Sequence, residues 1–275
     1  MQLGQYNTLT VKRITGVGFY LADEEQKEVL LPNKYIPDGL RVGDAIEVFI
    51  YTDSEDRPIA TTLKPYVTLN NFALLHVKQA NNIGAFLDWG LEKDLFVPFK
   101  EQTAKMREDG DYVVYLFHDE KSNRLAGSNK ISRFLDNENI ELKTGEEVNL
   151  MVFGKSDLGF KVIVNNRYEG LVYSNEVFQP LKNGQPLKGF VKTVREDKKL
   201  DVTLQKPGFE NMEVNTQRVL TYLQGNKGFL PLTDNSTPES IAEVLQMSKK
   251  NFKKAIGILY KKQMVQLHDD GVYLI

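Results

Sequence analysis

Cysteine is absent from this chain of 275 residues, so no disulfide can staple it and no thiolate can hold a metal. That absence fits a reducing compartment, and the cytoplasm is the expected location. Histidine is scarce as well. His76, His118 and His268 stand far apart, without the short spacing of a ligand pair, which removes the usual transition-metal sites. No metal and no cofactor is expected. No apolar run approaches the roughly 20 residues that cross a bilayer, and the opening "MQLGQYNTLTVKR" lacks a signal-peptide layout; no membrane association is expected. There is no surplus of positive charge: 35 Lys and Arg face 37 Asp and Glu, a net charge of −2. This excludes coating nucleic acid by bulk electrostatics but leaves room for a local basic face. Also missing are a nucleophile beside a base, a phosphate loop, and a carboxylate pair bracketed by donors. The chain is not read as an enzyme.

What is present is globular: 41% hydrophobic residues with 26% charged ones, in a length that suits two to four domains. Three stretches, starting at Val11, Val77 and Val152, run alike. They open with "VKRITGVGFYL", "VKQANNIGAFL" and "VFGKSDLGFKV", and each continues through a short apolar strand, a glycine turn and a long strand to a charged turn and a last strand. Alternation is clearest in "AIEVFIY", "YVVYLFH" and "KVIVNN". Short strands at even spacing, parted by Gly, Asn and Asp turns, predict small barrels or sandwiches. Gly18, Gly84 and Gly159 recur inside the second strand; a side chain there would block the bend of a coiled barrel strand.

Residues 132–145 are polar and charged and read as a linker with one helical turn, after which the third unit begins. From residue 213 the period becomes helical. Thr237 before Pro238 is a helix start, and Ser248 starts the next helix. There Phe252, Ala255, Ile256 and Leu259 form one apolar stripe. Helices followed by a hairpin through "DDG" predict a winged helix. Its last helix carries the densest basic cluster, Lys249, Lys250, Lys253, Lys254, Lys261 and Lys262, and residues 213–275 hold eight Lys and Arg against six Asp and Glu. Such a helix either reads a nucleic-acid groove or presents a solvated face. Arginine and asparagine, which make bidentate base contacts, are nearly missing from it.

The strand "G-[AF]-[FY]-[LV]" followed by "[EK]-x-L-[FV]-[VY]-x" resembles the S1 RNA-binding domain, a five-stranded OB-type barrel. Three such units before "TPESIAEVLQMSKKNFKKAIGILYKKQ" and a terminal hairpin resemble the conserved virulence factor B family of bacteria. The resemblance implies RNA binding without catalysis. It implies aromatic groups flanking the glycine, a histidine ending the third strand, and an Asp…Arg pair near the last strand. Tyr20 and Phe86 then hold the place after the glycine, with Val17 and Ile83 before it; Lys161 stands in the third unit's aromatic place. Leu31, Val97 and Tyr173 fall at the histidine position, a place where a tyrosine ring can stack on a base. Arg57, Arg124 and Lys199 fall at the arginine position, with Asp53 and Asp119 ahead of the first two. Each unit keeps only part of the set.

The expected fold is mainly β with α: three S1-like barrels over 1–66, 70–131 and 146–209, with the linker between the last two, then a winged helix over 213–275. The expected partner is single-stranded RNA, ahead of DNA, with contacts at Tyr20, Arg57, Phe86, Arg124, Tyr173, Lys199, Lys249, Lys250, Lys253, Lys254 and Lys261 and a role in post-transcriptional control. Two alternatives stay open at this point. One is a DNA-binding transcription regulator led by the winged helix; the other is a scaffold on the ribosome or an RNA-processing complex.

Overall fold

The computed structural model describes residues 1–177, 179–205 and 210–275, the first three of the last stretch by backbone alone. It forms two units, Met1–Phe134 and Leu135–Ile275.

In the first unit, β1 (Tyr6–Thr15), β2 (Gly18–Ala22), β3 (Glu28–Pro32), β4 (Ala45–Thr52) and β5 (Pro58–Thr61) close into a barrel of order β1-β2-β3-β5-β4. The strands alternate as the pattern requires: Leu9, Val11, Leu21, Val29, Leu31, Val48 and Ile50 meet inside. The next five strands, β6 (Phe72–Ala80), β7 (Gly84–Asp88), β8 (Leu95–Pro98), β9 (Asp111–Asp119) and β10 (Arg124–Ser128), repeat this order as an open sheet. Here the ladder that joins the third strand to the fifth in the first barrel is not made. β8 and β10 meet through side chains instead, the Val97 methyl standing 2.7 Å from where a Cβ on Gly127 would lie.

The two barrels of this unit share a core. Val48 and Ile50 of β4 point into the first barrel, whereas Phe49 and Tyr51, on the opposite face, join the cluster of the second. Both rings stand T-shaped to Trp89, with centroids 5.9 and 6.2 Å apart. Each such aromatic pair adds about 0.5–1.5 kcal/mol beyond its buried area. The segment between the barrels is tied down as well: Tyr66 N donates to Trp89 O, Leu69 N to Gly4 O, and Val67 is buried in the shared cluster.

In the second unit, β11 (Glu147–Lys155), β12 (Gly159–Val164), β13 (Tyr168–Tyr173), β14 (Pro186–Val194) and β15 (Leu200–Thr203) close into a barrel of the same order. Of residues 132–145, expected as a linker, those from 135 onward lie along this barrel. Asn137 donates to Glu169 O and Lys198 O and accepts from Glu169 N, while Ile140 and Leu142 pack on the core. The expected end of the barrel at residues 206–209 lies outside the described residues. α1 (Glu210–Gly225), β16 (Phe229–Leu230), α2 (Pro238–Leu245), α3 (Lys249–Lys261), β17 (Val265–His268) and β18 (Gly271–Leu274) then build a winged helix with the sheet β16-β18-β17. Thr237 and Ser248 cap α2 and α3, accepting from Ser240 N and Asn251 N at 3.2 Å. Phe252, Ala255, Ile256 and Leu259 are the buried stripe of α3.

The repeated glycine is explained by a close approach between strands. A Cβ at Gly18, Gly84 or Gly159 would lie 2.2, 2.4 or 2.1 Å from the carbonyl oxygen of Leu31, Val97 or Val172. What the glycine permits is thus contact with the third strand, more than the bend of its own. Ahead of it each first strand carries a bulge, where register shifts between Val11 and Arg13, Val77 and Gln79, and Val152 and Gly154. Gly84→Ala is expected to cost about 1–3 kcal/mol or more, as overpacking against backbone does. Gly16→Ala, with nothing within 4 Å of its added carbon, is expected to be near neutral. Urea unfolding followed through the buried Trp89, the chain's one tryptophan and a reporter of this unit, measures both.

Candidate nucleic-acid interface

The glycine fixes what stands around it. The residue before it is solvent-exposed and aliphatic in all three barrels: Val17, Ile83 and Leu158 are 62%, 56% and 64% exposed. The residue two places after it lies on the same barrel side. Tyr20 is half-buried, with the Arg13 guanidinium 3.6 Å above its ring, and Arg13 is itself held by Glu28. Phe86 is half-buried and pairs with Phe96, centroids 5.1 Å apart. Lys161 takes that place in the third barrel and bonds Glu169 at 3.2 Å.

Strand register corrects one assignment. Gly18 faces Pro32, Gly84 faces Pro98 and Gly159 faces Tyr173, and each of these partners precedes a short 3-10 turn. Tyr173 is therefore the counterpart of Pro32 and Pro98, not of Leu31 and Val97, which are core residues one place earlier. Glycine removes the side chain opposite, so the Tyr173 ring is half-buried while Val172 fills the core. The Tyr173 hydroxyl donates to Asp201 at 3.3 Å, and Lys192 Nζ stands 5.3 Å from the ring centroid, held there by Glu176. Glu176 raises the Lys192 ammonium above its ordinary range, chiefly through that hydrogen bond.

At the charged turns the three barrels diverge. Asp53 caps its turn by accepting from Glu55 N and Arg57 N, and it also holds the exposed Arg57 guanidinium at 2.8 Å. Asp119 caps its own turn through Lys121 N and the Ser122 hydroxyl. Arg124 bonds a different carboxylate, Asp56 of the first barrel, which also takes a hydrogen bond from Lys93 at 3.2 Å. Lys199 is exposed and pairs with Asp197 at 3.0 Å. A cavity of about 440 Å³ opens at this junction, lined by Ile83, Phe86, Phe96, Lys100, Arg124 and Asp56 among others. Lys93 and Phe96 lie within the quoted strand motif but on none of its expected nucleic-acid positions, and Lys100 and Asp56 lie outside it; strand pairing Phe86↔Phe96 is the signal that would have found Phe96.

On the winged helix, Lys250, Lys253, Lys254 and Lys261 are exposed, Lys249 is half-buried, and Lys253 reaches Asp234 at 3.6 Å. The N-terminal turn of α3 is tied to the third barrel, Asn251 donating to Gln205 at 2.9 Å. The hairpin tip is acidic, Asp269 and Asp270, the latter accepting from Tyr273 at 2.7 Å. Among the described residues, no cluster of three or more His, Asp and Glu is placed to hold a metal, and no helix is long and apolar enough to cross a membrane.

Comparison with known proteins identifies the domains at the two ends of the chain. Residues 3–63 match the S1 domain and residues 217–274 match the CvfB-like winged helix domain. The Bacillus subtilis protein YitL is 27% identical over 99% of this chain and 94% of its own length. Conserved virulence factor B of Staphylococcus aureus (strain USA300) is 26% identical, again over 99% and 94%. A multidomain protein with nucleic acid binding domains from Streptococcus pneumoniae, solved by crystallography, is 24% identical, with coverage of 99% and 98% and a TM-score of 0.45. The resemblance to the conserved virulence factor B family is borne out, with an S1 domain first and its winged helix last.

The Asp56 carboxyl is held below the ordinary carboxylate range, first by the Lys93 hydrogen bond and then by the charges of Lys93 and Arg124. A depressed folded value means that the attraction is fully present above about pH 3.9, the free aspartate value, and fades as the pH falls through the folded one. Carboxyl NMR titration is expected to place the Asp56 midpoint below that of free aspartate. Lys93→Ala should return it further toward the free value than Arg124→Ala.

Proposed function

We propose that this relative of conserved virulence factor B binds single-stranded RNA through its three barrels and its winged helix, and acts on gene expression after transcription. The observation that carries this reading is the junction cavity. There an exposed aliphatic residue, a pair of phenylalanine rings and two cations, Lys100 and Arg124, converge on one face. Flat rings hold any base by its face, while cations hold the backbone, and neither contact needs a particular sequence. The first and third barrels carry related sets, Val17 with Tyr20 and Arg57, and Leu158 with Tyr173, Lys192 and Lys199. Weak sites on one chain add through effective concentration, so useful affinity needs no single strong site. Lys250, Lys254 and Lys261 of α3, on the side away from the buried stripe, offer the strand a further cationic face. The protein acts without catalysis or cofactor, in the cytoplasm.

Duplex DNA is the weaker candidate. A wing tipped by Asp269 and Asp270 meets phosphates with like charge, and lysines without arginine give few bidentate base contacts. A scaffold role has one observation in its favour: Arg57, Arg124 and Lys199 are each engaged by a carboxylate already. Filter binding of single-stranded RNA, duplex RNA and duplex DNA at two salt concentrations separates the readings. Preference for single-stranded RNA is expected; preference for duplex DNA, or no binding, would replace it with the second or third.

Two variants test the contacts. Tyr173→Ala is expected to weaken single-stranded RNA binding by about 1–3 kcal/mol, the worth of one stacked base, with little change in melting temperature because the ring lies outside the core cluster. A large loss of stability with unchanged affinity would make the ring structural. Lys250→Glu with Lys254→Glu is expected to leave folding intact and to reduce affinity for long RNA more than for short, since a short strand cannot reach a barrel and α3 together. Parallel affinity-against-length curves for wild type and variant would make these lysines a solvated face.

A further inference from the structure

The turn between β4 and β5 is built by Asp53. Its carboxylate takes Glu55 N at 2.9 Å and Arg57 N at 3.0 Å, and its carbonyl takes Asp56 N at 3.0 Å. Asp56 caps nothing there. It stands at the tip in the left-handed region, φ +63°, and its carboxylate leaves the first barrel altogether to join Lys93 and Arg124 of the second. Lys93 is further anchored to the same turn through Asp53 O at 2.6 Å. The pair is open to water: the side chains of Asp56 and Arg124 are 33% and 56% exposed. It borders the cavity that holds Phe86, Phe96 and Lys100.

A guanidinium fork accepts a carboxylate or a phosphate with the same planar geometry. We infer that Asp56 is an internal competitor for phosphate, so that a single-stranded nucleotide enters the second barrel's face by displacing a carboxylate supplied by the first. The inference rests on the RNA-binding reading and adds a regulation to it. A base stacking on Phe86 or Phe96 carries a backbone phosphate into the space that Arg124 shares with Asp56. The ion pair is exposed and weak enough to exchange, since pairs of this kind contribute little to stability. Its effect is a threshold. Ligands without a phosphate, or with one badly placed, leave the carboxylate where it is.

Asp56→Asn keeps the size of the side chain and suits the left-handed backbone, while removing the competing charge. The probe is a single-stranded oligouridylate of roughly 12 nucleotides, within the span of such barrels. The full chain carrying Asp56→Asn is expected to bind it about two- to fivefold more tightly, the equilibrium worth of one exposed ion pair. The log affinity against log salt should steepen by up to about 0.7, because in wild type the displaced carboxylate takes back a cation that the bound phosphate releases, and the Asp56→Asn protein has no such carboxylate. Glu55→Gln changes the net charge equally, and Arg57, its partner among the described ion pairs, stays held by Asp53, so it should leave the slope unchanged. Adding Arg124→Ala to Asp56→Asn should remove the tighter binding. If Asp56→Asn matches wild type or Glu55→Gln, or if the tighter binding survives Arg124→Ala, the competitor is overturned while RNA binding stands. If wild type and every variant fail to bind, the RNA reading falls and this inference with it.

Discussion

Three glycines and three carbonyls decide the geometry of this chain. In each barrel the second strand begins so close to the end of the third that a methyl group would penetrate the carbonyl of Leu31, Val97 or Val172. Only glycine lets those backbones meet, and the meeting point orders everything near it. The residue before the glycine is thrown out to solvent, and the residue two places on lands beside it on the barrel's surface. The one facing it ends the third strand and hands the chain to a 3-10 turn. In the second barrel even the crowded carbonyl is satisfied, as Gln102 donates to Val97 O at 2.9 Å. A binding face in this fold is a by-product of backbone packing, and evolution can vary its side chains without touching the constraint.

The side chains differ accordingly, and each barrel has gone its own way. The first has a tyrosine covered by arginine, the second a phenylalanine pair, the third a lysine after the glycine and a tyrosine facing it. Close to each face a cation is met by a carboxylate: Arg13 by Glu28, Arg124 by Asp56 and Lys192 by Glu176. In water such pairs are individually worth little, and the neutralised surface agrees with a net charge near zero.

Much of this is legible in the chain. Glycine spacing marks the three units, alternation in "AIEVFIY" marks β4, and Thr237-Pro238 and Ser248 mark the helix starts, because each signal is local. What the chain hides has a common physical origin in non-local pairing. Motif matching puts Tyr173 one residue off because it slides along the chain, whereas the register is set by the facing strand. Residues 132–145 look free because their polarity is spent on Asn137, which bonds main-chain groups of the barrel that follows. The Asp56–Arg124 pair spans 68 residues, and no period in the sequence joins them. β10 carries the weak strand formers Ala126 and Gly127, yet the open ladder with β8 depends on how two distant segments pack, which neither segment shows alone.

Trp89 gives the first two barrels a property that neither has alone. Because Phe49, Tyr51, Val67 and Trp89 belong to one cluster, the first barrel is joined to the second by core and by chain. Separate beads on a string would have to find their sites one after another, each search limited by the slack of the tether. Here the slack is gone, and the two faces behave as marks on a ruler. On the proposed reading, such a ruler would register a length of strand between two resting places, and spacing would become a quantity to distinguish even where every base stacks equally well.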